Sequence, residues 1–237
     1  MIYSGSLILV NGKNPYLANQ AEETLVNVGK VLLERRFAAI CETLLNEIGA
    51  HGKIAFVSGW RTKIEQAQIY NDSLHSNGID FTSKYVALPG HSEHQTGLAV
   101  DLALNCPDID FIKPNFPYTG ICGIFRRKAI RFGLVERYPE GKEGITGIAH
   151  EPWHFRYVGA PHSMIMEQTS DTLEEYHERL KQYRYGREPL KWSFGGSVAE
   201  IFYLEFSEPT ATLEIANNAI YSVSGNNVDG FIVTTYR

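Results

Sequence analysis

One stretch constrains this chain more than any other: Gly97-Leu-Ala-Val-Asp101-Leu-Ala-Leu104, in which Asp101 is the only polar side chain. A short, nearly continuous apolar run bounded by turn-rich sequence reads as a buried strand. Before it, residues 80–95 are polar, punctuated by Pro and Gly, and read as a loop. After it, residues 105–120 are rich in Pro, Asp and Asn and read as a loop over the surface. Residues 54–57 and 153–158 are further core-strand candidates, and residues 7–10 read as a short strand ended by Asn11-Gly12.

Helical signals fill the gaps. A helical pattern spans residues 19–47, with Leu33, Phe37, Ile40, Leu44 and Ile48 at spacings of three or four, and Gly49 is its stop. Thr62-Lys-Ile-Glu65 has the form of a capping box, which opens a second helix running to Ser76 with Gly78 as its stop. Residues 124–132 form a short helix closed by Gly133, and residues 173–185 an amphipathic, charged one. Composition shifts after Gly186. Residues 191–237 are rich in β-branched and aromatic residues, with turn signals at Gly195-Gly196, Glu208-Pro209 and Gly225-Asn226, the pattern of several antiparallel strands.

Composition excludes more than it assigns. A chain of 237 residues suffices for one well-buried core with a small appendage. With 43% hydrophobic and 21% charged residues it is not disordered, and a net charge of −5 gives no electrostatic reason to expect nucleic acid as a partner. Cys41, Cys106 and Cys122 are odd in number and form no C-x-x-C pair, which argues against a disulfide framework and a Cys-rich zinc site. Free thiols suit a reducing compartment. The apolar run at residues 7–10 is too short for a signal-peptide core, and no stretch approaches a membrane span. The expectation is a cytoplasmic protein without membrane insertion.

Chemistry concentrates in three segments. His94 and Asp101 are ordinary zinc ligands, and a His at the end of a loop and an Asp in the following strand can face one point. Gly97 and Ala99 between them are small, which allows close approach. Alone, this spacing fits a surface histidine and a capping aspartate as well as a metal site. Glu151-Pro-Trp-His154 adds a candidate ligand, His154, and a candidate base, Glu151. His150-Glu151-Pro-Trp-His154 also matches the helical H-E-x-x-H signature, but Pro152 is poorly tolerated inside a helix and biases Glu151 away from helical dihedrals. His150 is therefore read as a neighbour. Ser58-Gly-Trp-Arg61 places an arginine at a helix N-terminus, where a substrate carboxylate could sit, and Gln68 lies seven residues on, near the same face. A surface salt bridge and a plain helix glutamine would fit these two equally well.

Together, Ser58-Gly-Trp-Arg61, Tyr85-Val-Ala-Leu-Pro-Gly90-His-Ser92-Glu-His94-Gln-Thr-Gly97-Leu-Ala-Val-Asp101 and Glu151-Pro-Trp-His154-Phe-Arg-Tyr157 resemble the zinc D,D-peptidases of the VanX/VanY group, most of all its bifunctional VanXY type. The resemblance implies that His94, Asp101 and His154 bind one catalytic Zn2+ and that Glu151 is the base. It implies that Arg61 steadies the oxyanion or anchors substrate, and that Ser92 and Gln68 contact the substrate. It implies an α+β fold, a central antiparallel sheet flanked by helices, shared with the Hedgehog N-terminal domain. The substrates implied are the D-Ala-D-Ala dipeptide or a D-Ala-terminated muramyl peptide, whose removal confers vancomycin resistance. Residues 1–188 would then form the catalytic domain, and residues 189–237, which the core motif does not account for, an accessory β-rich segment. Three alternatives share these motifs: an exported cell-wall-lytic enzyme whose β segment docks on peptidoglycan, an L,D-carboxypeptidase, and a non-catalytic zinc-binding module.

Overall fold

Side chains alternate across a strand, so each strand of a buried sheet offers one face to the apolar core and can offer the other to a site. The computed structural model describes residues 2–18, 24–206, 213, 215 and 219–237. Its central sheet joins β3 (Ile54–Ser58), β4 (Ala99–Leu104), β5 (Leu134–Glu136) and β6 (His154–Tyr157) in the order β3-β4-β6-β5, all antiparallel. Val100, Leu102, Leu134, Phe155 and Tyr157 point to one side. There they pack against Phe37 and Leu44 of α1 (Arg35–Ile48) and Phe125 of α4 (Gly120–Ala129). Asp101, His154 and Arg156 hold the alternate positions and so face the other side. The expected α+β arrangement, an antiparallel sheet flanked by helices, is the one observed.

Several elements differ from the sequence expectation. Within the helical pattern at residues 19–47, residues 19–23 lie outside the described residues. Residues 25–34 form a hairpin of β1 (Leu25–Val28) and β2 (Val31–Glu34), and only then does α1 begin. The cause is local: Val26, Val28 and Val31 are β-branched, and Gly29, at φ 60°, makes a two-residue turn with Lys30. Gly49 ends α1 in the left-handed conformation, as expected. Both halves of the Thr62–Glu65 capping box are present at α2 (Lys63–Asn77), which stops at Gly78. Residues 80–95 are not all loop. They contain α3 (Ile79–Tyr85), whose buried Thr82 bonds Ser73 of α2 at 2.8 Å, and a 3₁₀ turn, Glu93–Thr96.

Farther on, α4 starts earlier than its apolar pattern and ends in a 3₁₀ turn closed by Gly133. β5, α5 (Glu143–Thr146) and α6 (His162–Thr169) are short and carry no periodic signal of their own. α7 (Leu173–Leu180) stops before residue 185 because the chain turns to bond β8: Tyr185 N–H donates to the Tyr203 carbonyl at 2.8 Å. The C-terminal sheet consists of β7 (Leu190–Phe194), β8 (Ser197–Glu205), β9 (Ile220–Gly225) and β10 (Gly230–Tyr236) in the order β7-β8-β10-β9. Gly195-Gly196 turns between β7 and β8, and Gly225-Asn226 closes β9. Glu208-Pro209 lies outside the described residues. Residues 7–10 are buried but form no ladder strand. Their bonds go to scattered partners, Leu9 N–H to the Asn226 carbonyl and His177 Nε2 to the Leu7 carbonyl. A second core gathers Leu7, Leu9, Val135, Val158, Leu173 and Tyr176 with Ile201 and Ile232 of the C-terminal sheet.

Candidate metal centre and active site

Sheet register builds the site. Ser58, Asp101 and His154 are successive cross-strand partners on β3, β4 and β6, and Arg137 N–H continues the row by donating to the His154 carbonyl at 3.2 Å. Asp101 and His154, far apart in sequence, are thereby direct neighbours on one face. His94 arrives from the 3₁₀ turn. Gly97, at φ 71°, ends that turn and lets the chain enter β4, so that His94 and Asp101 meet with Nε2 3.1 Å from Oδ2. His154 Nδ1 lies 2.9 Å from Asp101 Oδ1. One ligand atom from each of the three buried residues falls within 4.8 Å of the others. The left-handed backbone of Gly97 and its close approach to the β1–β2 hairpin are what its position requires.

The donor set fits a metal. Two imidazoles and a carboxylate are ordinary zinc ligands, and three protein ligands leave a position open. His94 Nδ1 is 2.7 Å from the Gly59 carbonyl, which can only accept, so Nδ1 carries the proton and Nε2 presents its lone pair toward Asp101. The electrostatics are those of a desolvated cluster. Burial, then the Arg61 charge, pushes His94 down to about 4, with Asp101 opposing. Burial works against charge on Asp101 too, but His94 and His154 hold it well below the usual carboxylate range. At His154, burial is outweighed by the hydrogen bond and charge of Asp101, which push it up to about 9.

Glu151 enters by a tight turn. His154 N–H donates to the Glu151 carbonyl at 3.2 Å across Pro152-Trp153, so the segment is no helix, and Glu151 Oε2 comes within 3.9 Å of His154 Nδ1. Burial first, with the Asp101 charge assisting, pushes Glu151 up to about 8, against His154 and Arg61. His150 points elsewhere, bonded to Tyr118 Oη at 2.7 Å and facing Glu136. Arg61 Nη1 donates to Ser58 Oγ at 3.2 Å, while its buried Nε has no hydrogen-bond partner. Arg61, Ser92, Tyr138, Glu151 and the three candidate ligands line one narrow cavity of ≈ 40 Å³. Gln68 is not among them. It is exposed and bonds Asp72 along its own helix at 2.7 Å, because seven residues of helix carry it past the cavity, and Ile69 takes the lining position.

Sequence reasoning missed Glu93, Arg137, Tyr138 and Arg156. Glu93 Oε1 accepts from Arg137 Nε and Arg156 Nη1, each at 2.8 Å, and all three side chains are fully buried. Burial opposes the charge on Glu93, but the two guanidiniums hold its carboxyl well below its ordinary range. The Tyr138 ring packs 4.9 Å from His154. One signal was available: Arg156 shares the face of His154 by strand alternation, and a buried arginine needs an acid.

This arrangement of sheet, candidate ligands and carboxylate fits a metallopeptidase. A family model described as VanY, D-alanyl-D-alanine carboxypeptidase, matches residues 30–160. The bifunctional D-Ala-D-Ala dipeptidase and D-Ala-D-Ala carboxypeptidase VanXYC of Enterococcus gallinarum is 42% identical over 182 residues, 75% of this chain and 96% of that protein. The crystal structure of the vancomycin-resistance D,D-dipeptidase VanXYg, bound to a D-Ala-D-Ala phosphinate analogue, superposes with a TM-score of 0.95 at 47% identity. That match covers 100% of this chain and 95% of VanXYg. A VanY D,D-pentapeptidase from a VanB-type resistance cassette, solved with Zn(II), gives 0.60 at 30% identity over 73% of this chain and 98% of its own. The chain belongs to the VanY family of D-alanyl-D-alanine carboxypeptidases.

Proposed function

We propose that this protein is a zinc D,D-peptidase that hydrolyses the D-Ala-D-Ala dipeptide and removes the terminal D-Ala from muramyl peptide precursors, so depleting the target of vancomycin. The observation that carries this reading is the convergence of His94, Asp101 and His154 with Glu151 beside them in one cavity. His94 through Nε2, Asp101 through its carboxylate and His154 through Nδ1 would hold a single zinc ion. When bound, zinc supplies a Lewis acid that polarises the scissile carbonyl and makes water more acidic. Glu151, whose carboxyl burial pushes up to about 8, would take the proton of the attacking water and return it to the leaving amine. Arg61 offers its unmet N–H to the developing oxyanion or to the substrate carboxylate. Ser92, buried in the cavity wall, lies beside these groups and would contact the same carboxylate.

Among the described residues no helix is long and apolar enough to cross a membrane. Cys41, Cys106 and Cys122 are all free thiols, which supports a cytoplasmic site of action on precursors not yet exported. The test is a release assay with zinc-loaded protein on D-Ala-D-Ala and on a pentapeptide ending in it. Wild type should release D-Ala from both. Glu151→Ala should keep its zinc and lose turnover by at least about 100-fold. A Glu151→Ala protein with full zinc and undiminished D-Ala release would overturn the mechanism.

A further inference from the structure

Two buried polar atoms near the site lack hydrogen-bond partners and face each other: Glu93 Oε2 and His154 Nε2, 3.5 Å apart. The gap is slightly longer than an ordinary N–H···O bond, yet among the described residues neither atom has another partner. The other oxygen of Glu93 is fully engaged by two donors, Arg137 Nε and Arg156 Nη1. Both arginines are anchored in turn. Arg137 makes a two-pronged pair with Glu174 at 2.9 and 2.7 Å, and Arg156 Nη2 donates to the carbonyls of Ser6 and Ile8. Glu93 therefore cannot rotate, and its free oxygen stays aimed at His154.

We infer that Glu93 is a positioning residue for the metal centre: it accepts the Nε2 proton of His154 and so leaves the Nδ1 lone pair for the metal that Asp101 would also hold. This rests on the ligand assignment above. The logic parallels His94, whose Nδ1 proton is fixed by the Gly59 carbonyl at 2.7 Å. A metal-binding imidazole gives one nitrogen to the metal and hands its other N–H to an acceptor, and loss of that acceptor commonly weakens metal binding by about 10–100-fold.

Glu93→Gln tests the idea because it preserves shape. Arg137 and Arg156 both donate, so the amide oxygen must stay with them, and the amide NH2 then faces His154 Nε2. A donor there drives the ring proton to Nδ1, the atom the metal needs. In competition with a chromophoric chelator, Glu93→Gln should bind zinc about 10–100-fold more weakly than wild type while its circular dichroism is unchanged. Folded Glu93→Gln with wild-type zinc affinity would sink the inference. If the variant does not fold, wild type decides. With 15N-histidine labelling, zinc-loaded protein should show His154 as the Nε2–H tautomer, and an Nδ1–H tautomer overturns the proposal. Wild type that binds no zinc, like a His154→Ala control, would fail the ligand assignment itself, a result distinct from equal affinities in wild type and Glu93→Gln.

Discussion

Arg61 is anchored at one nitrogen and unmet at another: Nη1 bonds Ser58 Oγ, and Nε, though buried, has no partner. Burial lowers its pKa, and the charges of Asp101 and Glu151 oppose that, so it stays a cation near two acids. An arginine can hold Ser58 and still present a flat pair of donors to an anion, whereas a lysine is a single point of charge. Arg61→Lys should therefore lower kcat/KM for D-Ala-D-Ala by about 100-fold, with the loss mainly in kcat if the group met is the oxyanion. Zinc content by metal analysis should not change, because Arg61 is not among the proposed ligands. A kcat/KM within about threefold of wild type would remove Arg61 from the chemistry.

Short turns between elements decide whether the proposed ligands meet. Gly97 joins the 3₁₀ turn to β4 at φ 71°, and its carbonyl accepts Glu34 N–H at 2.9 Å. A Cβ there would lie 3.1 Å from Leu25 Cδ2 and 3.2 Å from Glu34 N, so Gly97→Ala meets both an unfavourable φ and a crowded hairpin. It should cost about 1–3 kcal/mol in denaturant unfolding and also weaken zinc binding, since His94 and Asp101 flank it. Gly49→Ala is the control. Its φ of 61° is equally left-handed, but nothing lies within 4 Å of the added Cβ, so it should cost about 1 kcal/mol and leave zinc affinity alone. Equal zinc affinities in the two variants would contradict this. The same turns explain what the sequence shows and what it hides. The convergence of His94, Asp101 and His154 beside Glu151 is legible because each lies inside a contiguous motif whose residue types suit one chemistry. The capping box and the glycine stops are legible because their causes are local. The β1–β2 hairpin is hidden because Leu33 continues the helical stripe of Phe37 and Leu44 even though it belongs to a strand. Glu93, Arg137 and Arg156 are hidden because their meeting is made by sheet register, which no single segment encodes. Gln68 misleads for the opposite reason: helical spacing gives the face of a helix but not which face the cavity meets.

At the scale of the whole molecule, the second core binds the chain's ends to its middle. Ile201 and Ile232 from the C-terminal sheet pack with Leu7, Val158 and Tyr176, and we propose that residues 189–237 unfold together with the rest. Two buried histidines sit in that junction. His162 Nδ1 meets Tyr176 Oη at 2.8 Å and its Nε2 meets Thr234 Oγ1 at 3.1 Å, while His177 Nε2 donates to the Leu7 carbonyl at 2.8 Å. Burial, with the charge of His177, pushes His162 down to about 3. Burial, with Arg137 and Arg156, pushes His177 down to about 4, against the Leu7 bond and Glu174. Both are thus neutral when folded and become protonated near pH 6.5 when unfolded. The unfolded chain binds more protons below that pH, so their contribution is complete above about pH 6.5 and is lost as the pH falls toward their folded values. The depressed carboxylates of Asp171, Glu174 and Glu175 act the same way, but only below about pH 4.5. His94 is also depressed and adds to the histidine window, whereas Glu151, raised, opposes it, so the comparison must leave the proposed metal site intact. Fluorescence and circular dichroism should report one unfolding transition whose midpoint temperature drops between pH 6.5 and 4.5. In His162→Gln, which removes one titrating group at the junction, that drop should be shallower even though the variant starts less stable. Identical slopes in the two proteins would mean that the acid sensitivity arises elsewhere, and two separated transitions would mean that the C-terminal sheet unfolds on its own.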